Sequence, residues 1–223
     1  LQTGTGLLSL NGAQTMGGNN LTLRTDSAIV IGGTLSGSGA FALVQASAGV
    51  SMGLGDGQAG TVHLDNTEMG YLPNGWASRT FGRTDSTAAM NVGAFTWPDA
   101  VTLRTGSGQM NLNGVISMGA NALTISTDSD LFIGANVTGS GTGSAITIVG
   151  SNAATSIGVG DGQAGNIQLS NTELSRLGTT WNSVVIGAIT MTGAMNVGGR
   201  TWSDPLTLRT GSGQMNINGN IAM

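Results

Sequence analysis

Short segments in which apolar and polar residues alternate recur along the whole chain. Examples are LTLRT at 21–25, ALTIS at 122–126, AITIV at 145–149, NIQLS at 166–170, SVVIG at 183–187 and LTLRT at 206–210. A period of two marks a strand with one buried face. In the last example Leu206 and Leu208 are expected to point inward, with Thr207 and Arg209 outward. Gly- and Asn-rich corners separate these segments, where a positive φ costs little. A strand of four or five residues cannot bury its apolar face alone. Coils stacked at strand spacing, each pairing in parallel with the next, solve this by forming one continuous interior.

The segments belong to a long repeat. GLGDGQAG at 53–60 returns as GVGDGQAG at 158–165, and AMNVGAFTW at 89–97 returns as AMNVGGRTW at 194–202. VTLRTGSGQMNLNG at 101–114 returns as LTLRTGSGQMNING at 206–219, so all three pairs are offset by 105 residues. Earlier the offset is 102: NNLTLRTD at 19–26 matches NALTISTD at 121–128, and a three-residue insertion near 135–157 absorbs the difference. One continuous segment is expected, with repeat 1 at 1–102, repeat 2 at 103–207 and the start of repeat 3 at 208–223. The second repeat reads as five lines of about twenty residues, most with two short strands around a Gly/Asn corner. The pattern therefore predicts an all-β fold, a parallel β-helix (β-solenoid) with about 21 residues per coil and five coils per repeat. About ten coils at ~4.8 Å give a rod of roughly 50 Å.

One line deviates. NTEMGYL at 66–72 and NTELSRL at 171–177 space their apolar residues by three, which predicts a short helical turn at a corner. Asn66 and Asn171 are placed to cap it, with Glu68 and Glu173 near its positive end. Trp76 and Trp181 follow and are expected to cover its exposed edge.

Composition sharpens the reading. The chain has 39 Gly, 3 Pro and no Cys, and only 8 % of its residues are charged, with no Lys among them. Few prolines suit a fold whose ladders need donors on both sides of each coil. Hydrophobic residues at 39 % argue against disorder. A net charge of −4 gives no electrostatic grip on nucleic acid or anionic lipid. Thiolate metal sites and disulfides are excluded, and no apolar run nears the ~18 residues of a membrane span. No secretory signal is read in this stretch, as expected if any such signal lies elsewhere in a longer chain. The chain opens inside a repeat at Leu1, as expected of a segment of something longer.

The LTLRT coils, the GxGDGQAG phrase and the NTEL turn leading to a Trp resemble the repeat region of filamentous-haemagglutinin-like exoproteins. These are large adhesins of Gram-negative bacteria exported by two-partner secretion. The resemblance covers the whole chain. It implies a right-handed parallel β-helix, export in an extended state, folding outside the cell, and a place at the bacterial surface supporting attachment, biofilm or cell–cell contact. That family's secretion motif is not matched: Pro73-Asn74-Gly75 sits mid-repeat, and its counterpart at 178–180 is Gly-Thr-Thr.

Candidate chemistry reads mainly as structure. Asp26/Asp128, Asp56/Asp161, Glu68/Glu173 and Asp99/Asp204 are matched between repeats, as turn and cap residues would be. His63 and Asp65 lie on one strand face and are close enough to touch, but become Gln168 and Ser170 in the next repeat. GxGDGQAG is expected to be a tight glycine turn, since one Asp per site is poor for a cation wanting six to eight oxygens. Thr22/Thr25 and Thr124/Thr127 are three apart and face opposite ways, unlike a flat Thr array. Asn91/Asn196 and Asn111/Asn216 are expected to form structural amide hydrogen bonds. Trp76, Trp97, Trp181 and Trp202 are expected to pack, with sugar stacking the alternative if exposed.

No catalytic, cofactor-binding or metal-binding residue is assigned, and no cofactor is expected. The leading expectation is a non-enzymatic shaft of an extracellular fibre or adhesin. Its expected partners are further repeats of the same chain or identical chains end to end, with host or bacterial glycans open; nucleic acid and membrane insertion are not expected. The alternatives are a carbohydrate-active β-helix enzyme, which needs a singular acidic or basic cluster, and a carbohydrate-binding solenoid, which needs exposed Trp.

Overall fold

The computed structural model describes residues 1–223. The regular secondary structure is almost entirely strand, and it is dominated by one eight-stranded sheet. In chain order the strands are Leu21–Thr25, Ala40–Gln45, Ser78–Gly82, Val101–Arg104, Ala122–Ser126, Gly141–Val149, Trp181–Gly187 and Leu206–Arg209. Order in the sheet follows order in the chain, and all seven pairings are parallel. The arrangement is consistent with a parallel β-solenoid.

Register shows why alternation was so regular. Leu21, Phe41, Arg79, Val101, Leu123, Ile146, Val184 and Leu206 stand opposite one another in one row. All but Leu206 are buried, and all but Arg79 are apolar. The adjacent outward row is Thr22, Ala42, Thr80, Thr102, Thr124, Thr147, Val185 and Thr207. β-Branched neighbours on one sheet face pack well across strands. The apolar side chains form a single core cluster of 45 buried residues running through both repeats.

After each strand of the main sheet the chain enters a second face and then a third. Second-face strands include Met90–Val92, Met110–Leu112 and Leu131–Ile133, paired in register. Third-face strands are two residues long, such as Phe95–Thr96, Ile116–Ser117 and Val137–Thr138.

The expected division into coils needs correction. Steps between register partners are about twenty residues, as for Leu21↔Phe41 and Val101↔Leu123, except at Phe41↔Arg79 and Ile146↔Val184. No strand of the main sheet intervenes in those two longer steps. The 105-residue interval from Val101 to Leu206 therefore crosses four pairings, not five. NIQLS was expected to be a separate rung of the main sheet. Instead Ile167–Leu169 pairs in parallel with Ile157–Val159 on the second face, and Val62–Leu64 pairs likewise with Met52–Leu54.

Parallel neighbours normally need a crossover of a dozen or more residues. Here residues 55–61 return the chain across the outer side of Met52–Leu54, which is possible only because glycines line the crossing. A Cβ on Gly53 would sit 2.6 Å from the Gln58 carbonyl oxygen, and one on Gly60 would collide with the Gly53 amide. Gly158 and Gly165 repeat the arrangement. GxGDGQAG is thus a glycine turn, as expected, but one that doubles a strand back onto its own sheet.

The helical turns follow these returns: α1 spans Asn66–Gly70 and α2 spans Asn171–Ser175. The N-caps are Asp65 and Ser170, one residue before the expected Asn66 and Asn171. Each turn occupies the third face of its pass, and its last residues supply the missing rung. Leu35 N donates to Tyr71 O at 2.8 Å, and Val137 N to Arg176 O at 2.7 Å.

Candidate functional site

The repeat-matched polar residues are all placed, and nearly all hold backbone. Asp26 accepts from the Ser47 amide at 2.7 Å and hydroxyl at 2.6 Å, and Asp128 accepts from Asn152 N at 2.7 Å. Burial alone would raise the Asp26 pKa, but the Ser47 donors, the Ala46 amide and the Arg83 charge together outweigh it and hold the carboxyl below its ordinary value. Asp56 and Asp161 accept from Asn66 N at 2.9 Å and Asn171 N at 2.8 Å, closing the glycine loop onto the helical turn.

Glu68 and Glu173 do more than face a helix terminus. One carboxylate oxygen completes a capping box, accepting from Asp65 N at 3.1 Å and Ser170 N at 3.0 Å. The other reaches the preceding pass, accepting from Ile31 N at 3.1 Å and Ile133 N at 3.2 Å. These amides lie where the second-face ladder is interrupted, between separate sheets. A carboxylate thus replaces a strand partner, a role that pattern reading missed.

His63 and Asp65 do not meet in a hydrogen bond. His63 Nε2 lies 3.0 Å from Gly55 O, and Asp65 accepts from Glu68 N at 2.8 Å. The Asn residues form ladders: Asn111 donates to Asn91 at 3.0 Å, and Asn91 to Ala59 O at 2.7 Å. Asn216, Asn196 and Ala164 O repeat the chain at 2.8 and 2.7 Å. Asn113 and Asn218 pin the same loops through Gln58 and Gln163. Thr25 and Thr127 are buried and bonded to Thr3 and Thr105, while Thr22 is exposed.

All four Trp rings are buried, at 6 % exposure or less, so none presents a face for stacking sugar. Trp76 Nε1 donates to Leu35 O at 3.2 Å, and Trp181 Nε1 to Leu177 O at 2.5 Å. Trp181 Nε1 also donates to Val137 O at 3.3 Å, so each ring is bonded to a third-face strand of the preceding pass.

The one buried ion pair went unrecognised in the sequence. Arg79 lies in the apolar inward row at 0 % exposure and meets Asp99 Oδ2 through Nη2 at 2.6 Å and Nε at 3.0 Å. Its Nη2 also donates to Pro73 O at 2.8 Å. Asp99 further accepts from Gly75 N at 3.1 Å and Trp76 N at 3.2 Å. Burial pulls the guanidinium pKa below its ordinary value, and the bonds and charge of Asp99 oppose that shift. The second repeat lacks this pair. Val184 takes the place of Arg79, and Asp204, still buried, makes no side-chain hydrogen bond to protein. The clue was available: Arg79 is a charge at a position where the second repeat has Val184.

Compared with models of known protein families, with curated proteins and with solved structures, the chain gives no match.

Proposed function

We propose that the protein is a shaft segment of a bacterial extracellular fibre or adhesin, of the filamentous-haemagglutinin-like kind that its repeat phrases resemble. In this reading the three faces close into a right-handed parallel solenoid exported in extended form and folded at the surface of a Gram-negative cell. The observation that carries it is the parallel ladder of the main sheet, unbroken through both repeats, with most of the matched carboxylates and amides bonded to backbone, several of them across passes. Such a body needs only length and repetition, and catalysis is not part of the proposal. A glycan-cleaving or glycan-stacking alternative finds no support in buried Trp rings and backbone-bound carboxylates.

End-to-end association completes the proposal. The protein's partners in this reading are further passes of the same chain or identical chains end to end, since a stack built from nearest-neighbour strand pairing extends by the same pairing. Antibodies raised against residues 1–223 provide the test. Immunogold labelling of extended filaments outside the outer membrane of the source bacterium is expected; label confined to the cytoplasm would overturn the proposal.

A further inference from the structure

Val184 stands in the second repeat where the first has the buried Arg79, and a cavity of about 170 Å³ lies beside it. Its walls include Leu174, Leu177, Gly178, Val184, Trp202 and Asp204, and every lining residue belongs to the stretch 174–204. No such cavity occurs at Asp99, where the Arg79 side chain fills the space. Asp204 is 8 % exposed and lacks the partners that Asp99 has. The Asp204 oxygens reach solvent and have no protein donor, so the carboxylate is free for a ligand, and a guanidinium is the cation best matched to it, through two parallel N–H donors.

We propose that this cavity is a binding site for a guanidinium group, supplied by a small molecule or by an arginine side chain of a partner. The first repeat serves as the template. There the guanidinium is held by the Asp99 carboxylate and the Pro73 carbonyl. Their counterparts in the second repeat are Asp204 and the carbonyl of Gly178, both at the cavity wall. Pro73-Asn74-Gly75 has become Gly178-Thr179-Thr180, which removes the proline ring from this rim. Leu174 and Leu177 offer an apolar path for the methylene stem. Arg200, the other charge at the cavity, donates to Asn171 O at 3.0 Å and lies over the Trp202 ring at 5.2 Å. Arg200 forms no ion pair with Asp204, which leaves that carboxylate for the ligand.

The experiment is a titration of the full 223-residue chain followed by NMR at the Trp202 indole N–H. The probes are ethylguanidinium, the peptide Gly-Gly-Arg-Gly-Gly, and the same peptide with neutral citrulline in place of arginine. Saturable shifts with both guanidinium probes are expected, and at least tenfold weaker response to citrulline. Peptide affinity tenfold above that of ethylguanidinium assigns the ligand to a protein partner; equal affinity assigns it to a small molecule. Asp204→Asn should weaken binding at least tenfold, and Val184→Arg should abolish it by filling the cavity from within. Arg79→Val should raise the stoichiometry from one site to two by opening the same space at Asp99. Non-saturable shifts, equal binding of citrulline, or binding untouched by Asp204→Asn would overturn the proposal.

Discussion

Asp99 and Asp204 occupy equivalent positions 105 residues apart, so replacing each by alanine is a controlled comparison within one molecule. In Asp99→Ala the Arg79 guanidinium stays buried at 0 % exposure and loses both of its bonds to the carboxylate. Arg cannot escape by deprotonation. Breaking a buried pair from one side costs about 3–5 kcal/mol. Arg79 keeps its bond to Pro73 O, which argues for the lower end, while the Gly75 and Trp76 amides lose their acceptor and add to the loss. Asp204→Ala orphans no such partner and should cost less than about 1 kcal/mol. Amide hydrogen exchange reads each site separately, which suits a stacked fold of near-neighbour interactions. Exchange in Ser78–Gly82 and Val101–Arg104 should accelerate roughly a hundredfold or more in Asp99→Ala, since each ~1.4 kcal/mol is tenfold. The strands Trp181–Gly187 and Leu206–Arg209 should be nearly unchanged in Asp204→Ala. Equal effects at the two sites, or an Asp99→Ala effect under tenfold, would refute the claim that Asp99 compensates the buried charge.

Glu173→Ala should cost about 1–3 kcal/mol by stranding the Ile133 amide at the break between sheets, with Ile133 exchange the readout; a Glu173 variant with unchanged Ile133 exchange would remove the bridging role. Gly60→Ala should unseat the returning loop at a cost of about 1–3 kcal/mol from overpacking. Gly57→Ala, with open space around it but φ +70°, should cost about 1–2 kcal/mol, all of it backbone strain. Only Gly60→Ala should release the Asn91 side-chain amide from Ala59 O, visible in its NMR shift. Asp26 has a depressed folded pKa, so its contribution is present above the unfolded value of about 3.9 and is lost as pH falls through the folded value. Asp26→Asn should therefore flatten the acid limb of the thermal stability profile below about pH 4 and change its slope little near neutrality; an unchanged acid limb would exclude that contribution.

The strands were legible because inward and outward positions obey a strict period of two over a continuous core, as in Leu21–Thr25 and Ala122–Ser126. The helical turns were legible from the three-residue spacing of Met69 and Leu72, although Asp65 and Ser170, not the asparagines, cap them. What misled was NIQLS. Its alternation is the same whether it extends the main sheet or doubles back on the second face, since period reports burial and not partner. The deciding signal was steric: Gly53 and Gly60 are glycines because the chain crosses itself there. Glu68 resembled an ordinary cap because its second bond reaches 37 residues back, to Ile31. Arg79 was hidden by reading the repeats for likeness, whereas the informative feature was a mismatch, a charge in one repeat where the other has Val184.

The central claim is that the two repeats form one axial stack, four strand spacings per repeat. The outward row supplies labelling sites, and the chain has no native Cys to interfere. Spin labels on Thr102→Cys and Thr207→Cys lie four pairings apart, and on Thr22→Cys and Thr207→Cys seven. At ~4.8 Å per pairing, dipolar spectroscopy should give narrow backbone separations of about 19 Å and 34 Å. A first separation near 24 Å would restore five rungs per repeat, and broad distances that fail to grow with the number of pairings would contradict the stack itself.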